Sequence, residues 1–380
     1  MNKRDFLKYT GLAGAAIFTG APLVSCGEEA PPSKKRGSIP KRGLKIKFTP
    51  YTLKLKHSFN LAAGSRTTTP VMLTEIEYDG LTGYGEASMP PYLGESHETA
   101  AEFLSSLNLS QFNDPFMLEE ILDYVDKIRP GNYAVKASVD IALHDLVGKI
   151  TGEPLYRLLG LNPDKTPYTS FTIGIDTPEV VRQKVKEAEP YKILKVKLGK
   201  GNDREVVEVI RSVTGKPLCA DVNQGWKDRK HALEMAEWLA GKGFLFLEQP
   251  MPKEQYEDIA WLKERSPLPI IGDEAIQNLG DLLKYKNVYS GVNVKLMKCG
   301  GIRAAYIMLK TAGALGLKTM IGCMTETSCA VTAAAHLSPL AEWGDLDGNL
   351  LIANDPFEGV KITDGKVILP GRAGTGIKKI

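Results

Sequence analysis

The sequence predicts an α/β protein built on a parallel (β/α) barrel of the TIM type, preceded by a smaller α+β domain. Over the C-terminal half, eight short apolar strands alternate with seven helices, which is the rhythm of a barrel. Lys195, Asp221, Glu248, Asp273 and Lys295 are separated by 26, 27, 25 and 22 residues. One strand plus one helix fills such a gap, so these side chains should converge on one face of the barrel.

Each predicted strand is a short apolar run that ends at a polar residue or a Gly/Pro break. The strands are expected at 168–173, 193–198, 217–221, 244–248, 270–273, 291–295, 318–321 and 342–345. The helices are expected at 178–188, 203–213, 229–240, 254–264, 279–284, 302–315 and 328–337. A doubly wound open sheet is the alternative, but it binds ligands only at a switch point in strand order, which fits five functional strand ends poorly.

The residues before the barrel predict a domain of their own. Residues 45–85 alternate in a strand-like way around Asp79-Gly80, a hairpin signal, and helical spacing of apolar residues follows to about residue 159. Strands first and helices after predict an α+β domain over 45–165 and a barrel over 166–350. The tail, 351–380, is expected to form short strands and turns that return to the first domain.

The first 26 residues predict an export signal. A basic start, Lys3-Arg4-Asp5-Phe6-Leu7-Lys8, resembles a twin-arginine signal with Lys in place of the first Arg. The apolar run that follows is too short and too Gly-rich for a membrane span. It ends in Leu23-Val24-Ser25-Cys26, which resembles a lipoprotein signal in which the cysteine is lipidated; a fortuitous apolar N-terminus is the alternative. Residues 27–44 predict a flexible tether. The protein is therefore expected to be periplasmic or anchored to the cell envelope.

The charge balance indicates which class of partner is favoured, and the contexts of the cysteines indicate their chemical state. There are 48 basic and 45 acidic residues, a net charge of +3, and no basic stripe interleaved with aromatic residues. A small-molecule partner is therefore favoured over nucleic acid, and a homo-oligomer is left open. Four cysteines lie in apolar or Gly-rich contexts without a Cys-x-x-Cys pair, which predicts buried free thiols: Cys219, Cys299, Cys323 and Cys329.

Three carboxylates predict a site for a divalent cation. Asp221, Glu248 and Asp273 each end an apolar strand. A single carboxylate in that position could equally cap the next helix, but three at matching strand ends favour a metal site. An all-oxygen set of ligands selects Mg²⁺ or Mn²⁺ over zinc.

Lysines flank the acids along the chain. Lys195 and Lys197 are two residues apart on one strand, so both side chains should enter the barrel together. Lysine is rarely buried without a function. A nearby cation and partial desolvation both favour the neutral amine that a general base requires. An outward, solvated pair is the alternative. Lys295 ends a strand on the other side of the barrel, and Lys298 is expected on the loop that follows.

Asp345 and Asp347 close the last strand and should share a face. The metal site is already supplied with three acids, so a cationic group of the substrate is their natural partner. An ordinary acidic turn before Gly348 is the alternative.

The strings around these residues resemble the enolase superfamily, and within it the muconate-lactonising-enzyme-like subgroup. The resemblance covers about residues 45–380. It rests on Gly83-Tyr84-Gly85-Glu86-Ala87, Lys195-Val196-Lys197, Asp221-Val222-Asn223, Glu248-Gln249-Pro250, Asp273-Glu274 and Lys295 before Cys299-Gly300-Gly301. It implies a modified (β/α)₇β barrel with an α+β capping domain and Mg²⁺ held by the three acids.

The Asp345-x-Asp347 pair resembles the dipeptide epimerases, whose members include L-Ala-D/L-Glu epimerase. The resemblance implies that this pair holds the dipeptide's α-ammonium and that Lys197 and Lys295 are acid/base catalysts on opposite faces of the Cα. It also implies that Lys195 stabilises enolate oxygens, that Thr172 touches the substrate and that Cys323 lines the pocket. The expected reaction is a Mg²⁺-dependent inversion of the α-carbon of the dipeptide's C-terminal residue.

One departure concerns the side chain of that residue. Glutamate-specific members carry an arginine in the loop between the first two strands, where this chain aligns Gly64. Arg66, two positions on, is expected either to substitute through a loop shift or to mark a different preference.

Other functions stay open at this point. N-succinylamino-acid racemase, o-succinylbenzoate synthase and cycloisomerase share the fold, but their substrates carry no free ammonium for the aspartate pair. An exported lipoprotein that only binds peptides is a reading of another class, and it would need no lysine pair. An epimerase in the envelope would suit the processing of cell-wall peptides.

Overall fold

Residues 43–61 and 64–380 are described by the computed structural model, with residues 58–61 and 64 described by their backbone alone. The predicted export signal and residues 27–42 of the predicted tether lie outside this part of the chain. Within it, no helix combines the length and apolarity that a membrane span requires.

The N-terminal region begins with an antiparallel three-stranded sheet and continues as helices. The strands are β1 (Lys45–Leu61), β2 (Gly64–Tyr78) and β3 (Leu81–Ser88). The helices are α1 (His97–Ser105), α2 (Leu118–Ile128), α3 (Tyr133–Thr151) and α4 (Leu155–Leu158). Asp79 and Gly80 form the two-residue turn between β2 and β3, both with positive φ (47° and 80°), as the hairpin signal predicts.

Strand β3 packs directly against the backbone of α3, and this contact explains the Gly-x-Gly motif at its centre. A Cβ on Gly83 would lie 2.0 Å from the carbonyl oxygen of Ala142, and one on Gly85 would lie 1.8 Å from that of Ser138. Any side chain at either position would therefore push the sheet off the helix.

The rest of the described chain is dominated by a barrel of eight parallel strands. They are β4 (Ser170–Ile173), β5 (Ile193–Lys197), β6 (Leu218–Asp221), β7 (Phe244–Glu248), β8 (Ile270–Gly272), β9 (Gly291–Lys295), β10 (Lys318–Gly322) and β11 (Trp343–Asp345). They pair in chain order, and a parallel bridge between Thr169 and Gly344 joins the first strand to the last. The predicted barrel is confirmed, and the open sheet is wrong because the ring closes.

The helices follow the strands as predicted, and their ends differ from the predicted ones by no more than two residues. They are α5 (Pro178–Glu187), α6 (Asp203–Arg211), α7 (Arg229–Gly241), α8 (Tyr256–Lys263), α9 (Leu279–Tyr285), α10 (Leu296–Cys299), α11 (Ile302–Ala314) and α12 (Ser328–Ala335). The short α10 was not predicted. It continues directly from β9 and determines where Lys298 lies.

The strand register brings the functional strand ends to one level. Lys197 pairs with Asp221, and Asp221 pairs with Glu248. On the other side of the ring, Gly322 pairs with both Lys295 and Asp345. Neighbouring strand ends in register place their side chains on one rim of the barrel, which is where barrel enzymes carry their chemistry.

The tail forms short strands β12 (Phe357–Glu358), β13 (Lys361–Thr363), β14 (Lys366–Ile368) and β15 (Lys378–Lys379). It also contacts α3, since the backbone N–H and the hydroxyl of Thr375 donate to Asp145 Oδ1 at 2.8 and 2.9 Å. The four described cysteines are buried and free, as predicted.

Candidate active site

The three predicted acids lie together at the rim. Asp221 and Glu248 are fully buried and Asp273 is 4% exposed. One carboxylate oxygen from each lies within 4.8 Å of the others. Such a buried cluster needs positive charge, because like charges without water repel strongly.

Lysine amines supply that charge, and they contact one particular oxygen of each acid. Lys195 Nζ lies 2.7 Å from Glu248 Oε2 and 3.0 Å from Asp221 Oδ2. Lys197 Nζ lies 2.6 Å from the same Asp221 oxygen. Lys295 Nζ lies 2.7 Å from Asp273 Oδ2. All three lysines point into the barrel and are less than 10% exposed.

The acid cluster fits a hard divalent cation. Glu248 Oε2 is buried and accepts no hydrogen bond from any described residue, although the Lys195 amine lies close to it. Burial, with Asp221 nearby, raises the pKa of Glu248 to about 7. An orphaned oxygen among three clustered carboxylates is a position for a cation that takes only oxygen ligands, as Mg²⁺ does.

Lys195 is a fixed cation beneath this cluster. Burial lowers the pKa of Lys195, but Asp221, Asp345 and Glu248 outweigh it and hold the pKa well above its ordinary value. Its amine therefore stays charged, which suits a group that stabilises negative charge.

The aspartate pair after β11 lies beside Lys195 and the start of the barrel. Asp345 Oδ2 accepts from Lys195 Nζ at 2.6 Å, and Asp347 Oδ2 accepts from the backbone N–H of Thr172 at 2.8 Å. Burial, with Asp345 nearby, raises the pKa of Asp347 to about 6. A ligand with a positive charge would restore the ionised form of this carboxyl group.

A cavity of about 230 Å³ connects these groups. Its lining includes all of the other residues predicted to meet the substrate, namely Thr172, Lys195, Lys197, Lys295, Asp345, Asp347, Cys323 and Arg66. The N-terminal sheet reaches it through Arg66 on β2, whose Nη2 donates to Thr325 Oγ1 at 3.2 Å. Tyr92 also lines it and donates to Met324 Sδ at 2.6 Å.

The predicted position of Lys298 on a loop is wrong. It lies in α10, is 3% exposed, and its amine donates to Asp273 Oδ1 at 2.6 Å. Helix α10 begins immediately after β9, and its turn brings the amine of Lys298 to Asp273. The sequence offered little signal for this, because a four-residue helix is too short to show a period.

Asn293 is a functional candidate that the sequence analysis missed. It is fully buried on β9, and its Nδ2 donates to Glu248 Oε1 at 2.8 Å. A signal was available, since Asn293 precedes Lys295 by two residues on the same strand and so shares its inward face.

Comparisons with known proteins show which family the chain belongs to. Residues 45–160 match the N-terminal domain of the mandelate racemase / muconate lactonizing enzyme family, and residues 178–379 match the enolase C-terminal domain-like family. L-Ala-D/L-Glu epimerase of Bacteroides thetaiotaomicron is 55% identical, with both chains covered in full.

Two solved structures share the fold. Dipeptide epimerase of Enterococcus faecalis V583, in complex with Mg and L-Leu-L-Tyr, has a TM-score of 0.81 and 32% identity, covering 88% of this chain and 99% of that one. A substrate-liganded L-Ala-D/L-Glu epimerase of Bacillus subtilis has a TM-score of 0.82 and 28% identity, covering 88% and 98%. The chain belongs to the mandelate racemase / muconate lactonizing enzyme family of the enolase superfamily.

Proposed function

We propose that this chain is a magnesium-dependent dipeptide epimerase that inverts the α-carbon of the C-terminal residue. One observation carries the proposal: Lys197 and Lys295 face a common cavity from opposite sides. They end β5 and β9, which are four strands apart in a ring of eight. Two amines so placed can act on the two faces of one carbon, and an inversion by proton transfer requires this.

The polar groups of the cavity fix how a dipeptide would lie. Asp345 and Asp347 form an anionic end for the free α-ammonium, beside Thr172. The three acids, two of which share the Lys195 amine with Asp345, would hold Mg²⁺, and the ion would supply positive charge to the substrate's carboxylate and so make the α-proton easier to remove. Lys195, held in its charged form, adds a second positive charge there.

The lysines then carry out the transfer. The neutral amine of one lysine takes the α-proton, and the electron pair of the broken C–H bond is delocalised onto the carboxylate oxygens. The ammonium of the other lysine donates a proton to the opposite face of the same carbon. The centre is inverted, and the two lysines exchange protonation states. No redox partner or leaving group is involved.

Named relatives support this reaction class. The Bacteroides relative is named as an L-Ala-D/L-Glu epimerase, and the Enterococcus structure holds a dipeptide together with Mg. The substrates of the racemase, synthase and cycloisomerase alternatives lack a free ammonium, so they leave the aspartate pair of this chain without a partner. Pure peptide binding would leave the opposed lysines without a role.

We infer a preference for an acidic side chain at the inverted residue. Arg66 lies two residues beyond the aligned position of Gly64 on the same strand, β2, yet it lines the cavity and its guanidinium bonds Thr325. Burial lowers the pKa of Arg66, but the group remains cationic at neutral pH. A carboxylate from the substrate would pair with it, which favours L-Ala-D-Glu and L-Ala-L-Glu.

A dipeptide library incubated with the protein and Mg²⁺ in D₂O tests both statements. We expect one deuterium to enter the C-terminal residue, fastest for Ala-Glu.

In Arg66→Met, kcat/KM for Ala-Glu should fall about 100-fold, since a charged partner is lost in a partly buried site. Ala-Leu should change little and serves as the internal control. Absence of deuterium uptake across the library would overturn the reaction, and an unchanged Ala-Glu preference in Arg66→Met would overturn the role of Arg66.

We also propose that the protein is exported and anchored through Cys26, where it would act on peptide fragments of the cell wall. The support is the basic, apolar and Leu-Val-Ser-Cys order of the first 26 residues. Labelled palmitate should enter the full-length protein in cells and should not enter Cys26→Ala. Equal labelling of both would contradict lipidation at this position.

A further inference from the structure

Each of the three acids has one oxygen held by the protein and one oxygen facing the catalytic lysines. The held oxygens accept from Asn223 N (Asp221 Oδ1, 3.1 Å), Asn293 Nδ2 (Glu248 Oε1, 2.8 Å) and Lys298 Nζ (Asp273 Oδ1, 2.6 Å). The other oxygens, Asp221 Oδ2, Glu248 Oε2 and Asp273 Oδ2, are those that Lys195, Lys197 and Lys295 contact. The same arrangement, with one oxygen hydrogen-bonded by the protein and the other contacted by a lysine, recurs at the ends of three successive strands.

Lys298 is the strongest of the three donors. Besides Asp273 Oδ1, its amine contacts the backbone carbonyl oxygens of Asp273, Ile276 and Asn293 at 2.7, 3.1 and 2.9 Å. An ammonium group donates three hydrogens, so this cage uses all of them. The group is fixed in place on the side of Asp273 away from Lys295.

Asn293 holds Glu248 with comparable rigidity. The neighbouring strand provides the space for its amide, because a Cβ on Gly322 would lie 2.6 Å from Asn293 Oδ1. The amide is confined against β10, with its Nδ2 on Glu248 Oε1.

We propose that Asn293 and Lys298, with the backbone N–H of Asn223, form an oxygen clamp that limits each acid to one oxygen for the metal. Asn293 and Lys298 do not line the cavity, so they are positioning residues, and Asn223, which does line it, takes part in the clamp only through its backbone N–H. Mg²⁺ requires near-octahedral geometry and is poorly served by carboxylates that bind through both oxygens, whereas Ca²⁺ accepts both modes. The clamp therefore favours Mg²⁺ over Ca²⁺. The inference rests on the magnesium site of the proposed function.

Calorimetric titration of the metal-free protein with Mg²⁺ and with Ca²⁺ measures the Kd of each ion and so tests the clamp without measuring activity. In Lys298→Met and in Asn293→Leu we expect the Kd for Mg²⁺ to rise by about 10- to 100-fold, the range found when groups supporting metal ligands are removed. The Kd for Ca²⁺ should rise less, so that discrimination between the two ions falls by about tenfold.

Lys136→Met is the matched control. Lys136 is also buried, at 4% exposure, and its amine also bonds a backbone carbonyl oxygen, that of Asp126 at 3.1 Å. It contacts none of the three acids. This variant should therefore lose thermal stability but keep the Kd for Mg²⁺ within about twofold of that of the unaltered protein. It shows what the loss of a buried lysine does to the Kd when the loss affects only the stability of the fold.

The outcomes separate the clamp from the proposed function. Folded Lys298→Met and Asn293→Leu with unchanged Kd for Mg²⁺ and unchanged ion discrimination would overturn the clamp. If Lys298→Met does not fold, Asn293→Leu on β9 decides alone. An unaltered protein that binds Mg²⁺ but exchanges no α-proton would overturn the epimerase and leave the clamp standing.

Discussion

Lys197→Met is expected to stop exchange of the α-proton with solvent for one epimer of the dipeptide and to preserve it for the other. Each epimer points its α-hydrogen at a different lysine, so removal of Lys197 leaves Lys295 able to take and return a proton on its own face. Lys295→Met should show the mirror-image result. Net epimerisation needs both amines and should be lost in both variants.

The loss for the affected epimer should be about 10²- to 10⁴-fold, the usual contribution of a general acid or base. Proton NMR in D₂O measures it directly, as decay of the α-proton signal from each pure epimer. Lys310→Met, a change at an exposed lysine on α11, is the control and should behave as the unaltered protein does. The two-base assignment is wrong if each variant slows both epimers equally.

The sequence predicts the centre of this site well because the regular spacing of the functional residues along the chain, together with the register of parallel strands, determines where their side chains lie. One strand and one helix fill each gap between Lys195 and Lys295, and parallel strands in register then bring their ends to one rim. Nothing beyond chain order is needed to place those side chains together.

Arg66 shows where such reasoning stops. Its position depends on how β2 packs across the barrel mouth, where it meets Thr325, 259 residues away. No local pattern encodes that contact. Lys298 differs from its predicted loop position for a related reason, since the single helical turn after β9 and the contact of its amine with Asp273 are not visible in the local sequence.

Glu86 and Glu326 were also beyond local patterns. Glu86 on β3 accepts hydrogen bonds from the backbone of Thr327 and Ala330 at the start of α12. Glu326, one residue before Thr327, is buried in the same interface between the N-terminal sheet and the barrel. The sequence marks Glu86 only as part of the Gly83-Tyr84-Gly85-Glu86-Ala87 string, and the tertiary contact makes it a buried acid beside another.

This buried pair should make the protein lose stability as pH rises. Burial, and next the charge of Glu86, raises the pKa of Glu326 to about 8, and burial raises the pKa of Glu86 to about 7. Both folded values lie above the ordinary value of 4.5. The stabilisation is therefore fully present below about pH 4.5 and is lost as the pH rises through the folded pKa values.

Glu326→Gln should remove most of this dependence. Its amide oxygen can still accept from the backbone N–H of Met324, as Glu326 Oε1 does at 2.8 Å, but it cannot ionise. Relative to the unaltered protein, the free energy of unfolding should agree within about 1 kcal/mol at pH 5 and be higher by about 5 kcal/mol at pH 9, since the folded pKa of about 8 lies well above 4.5 and one pKa unit corresponds to about 1.4 kcal/mol. Urea unfolding at pH 5, 7 and 9 measures this difference in the free energy of unfolding.

Glu205→Gln, at an exposed acid on α6, is the control and should follow the unaltered protein at every pH. A constant difference between Glu326→Gln and the unaltered protein across this range would show that Glu326 is already ionised when the protein is folded at pH 5.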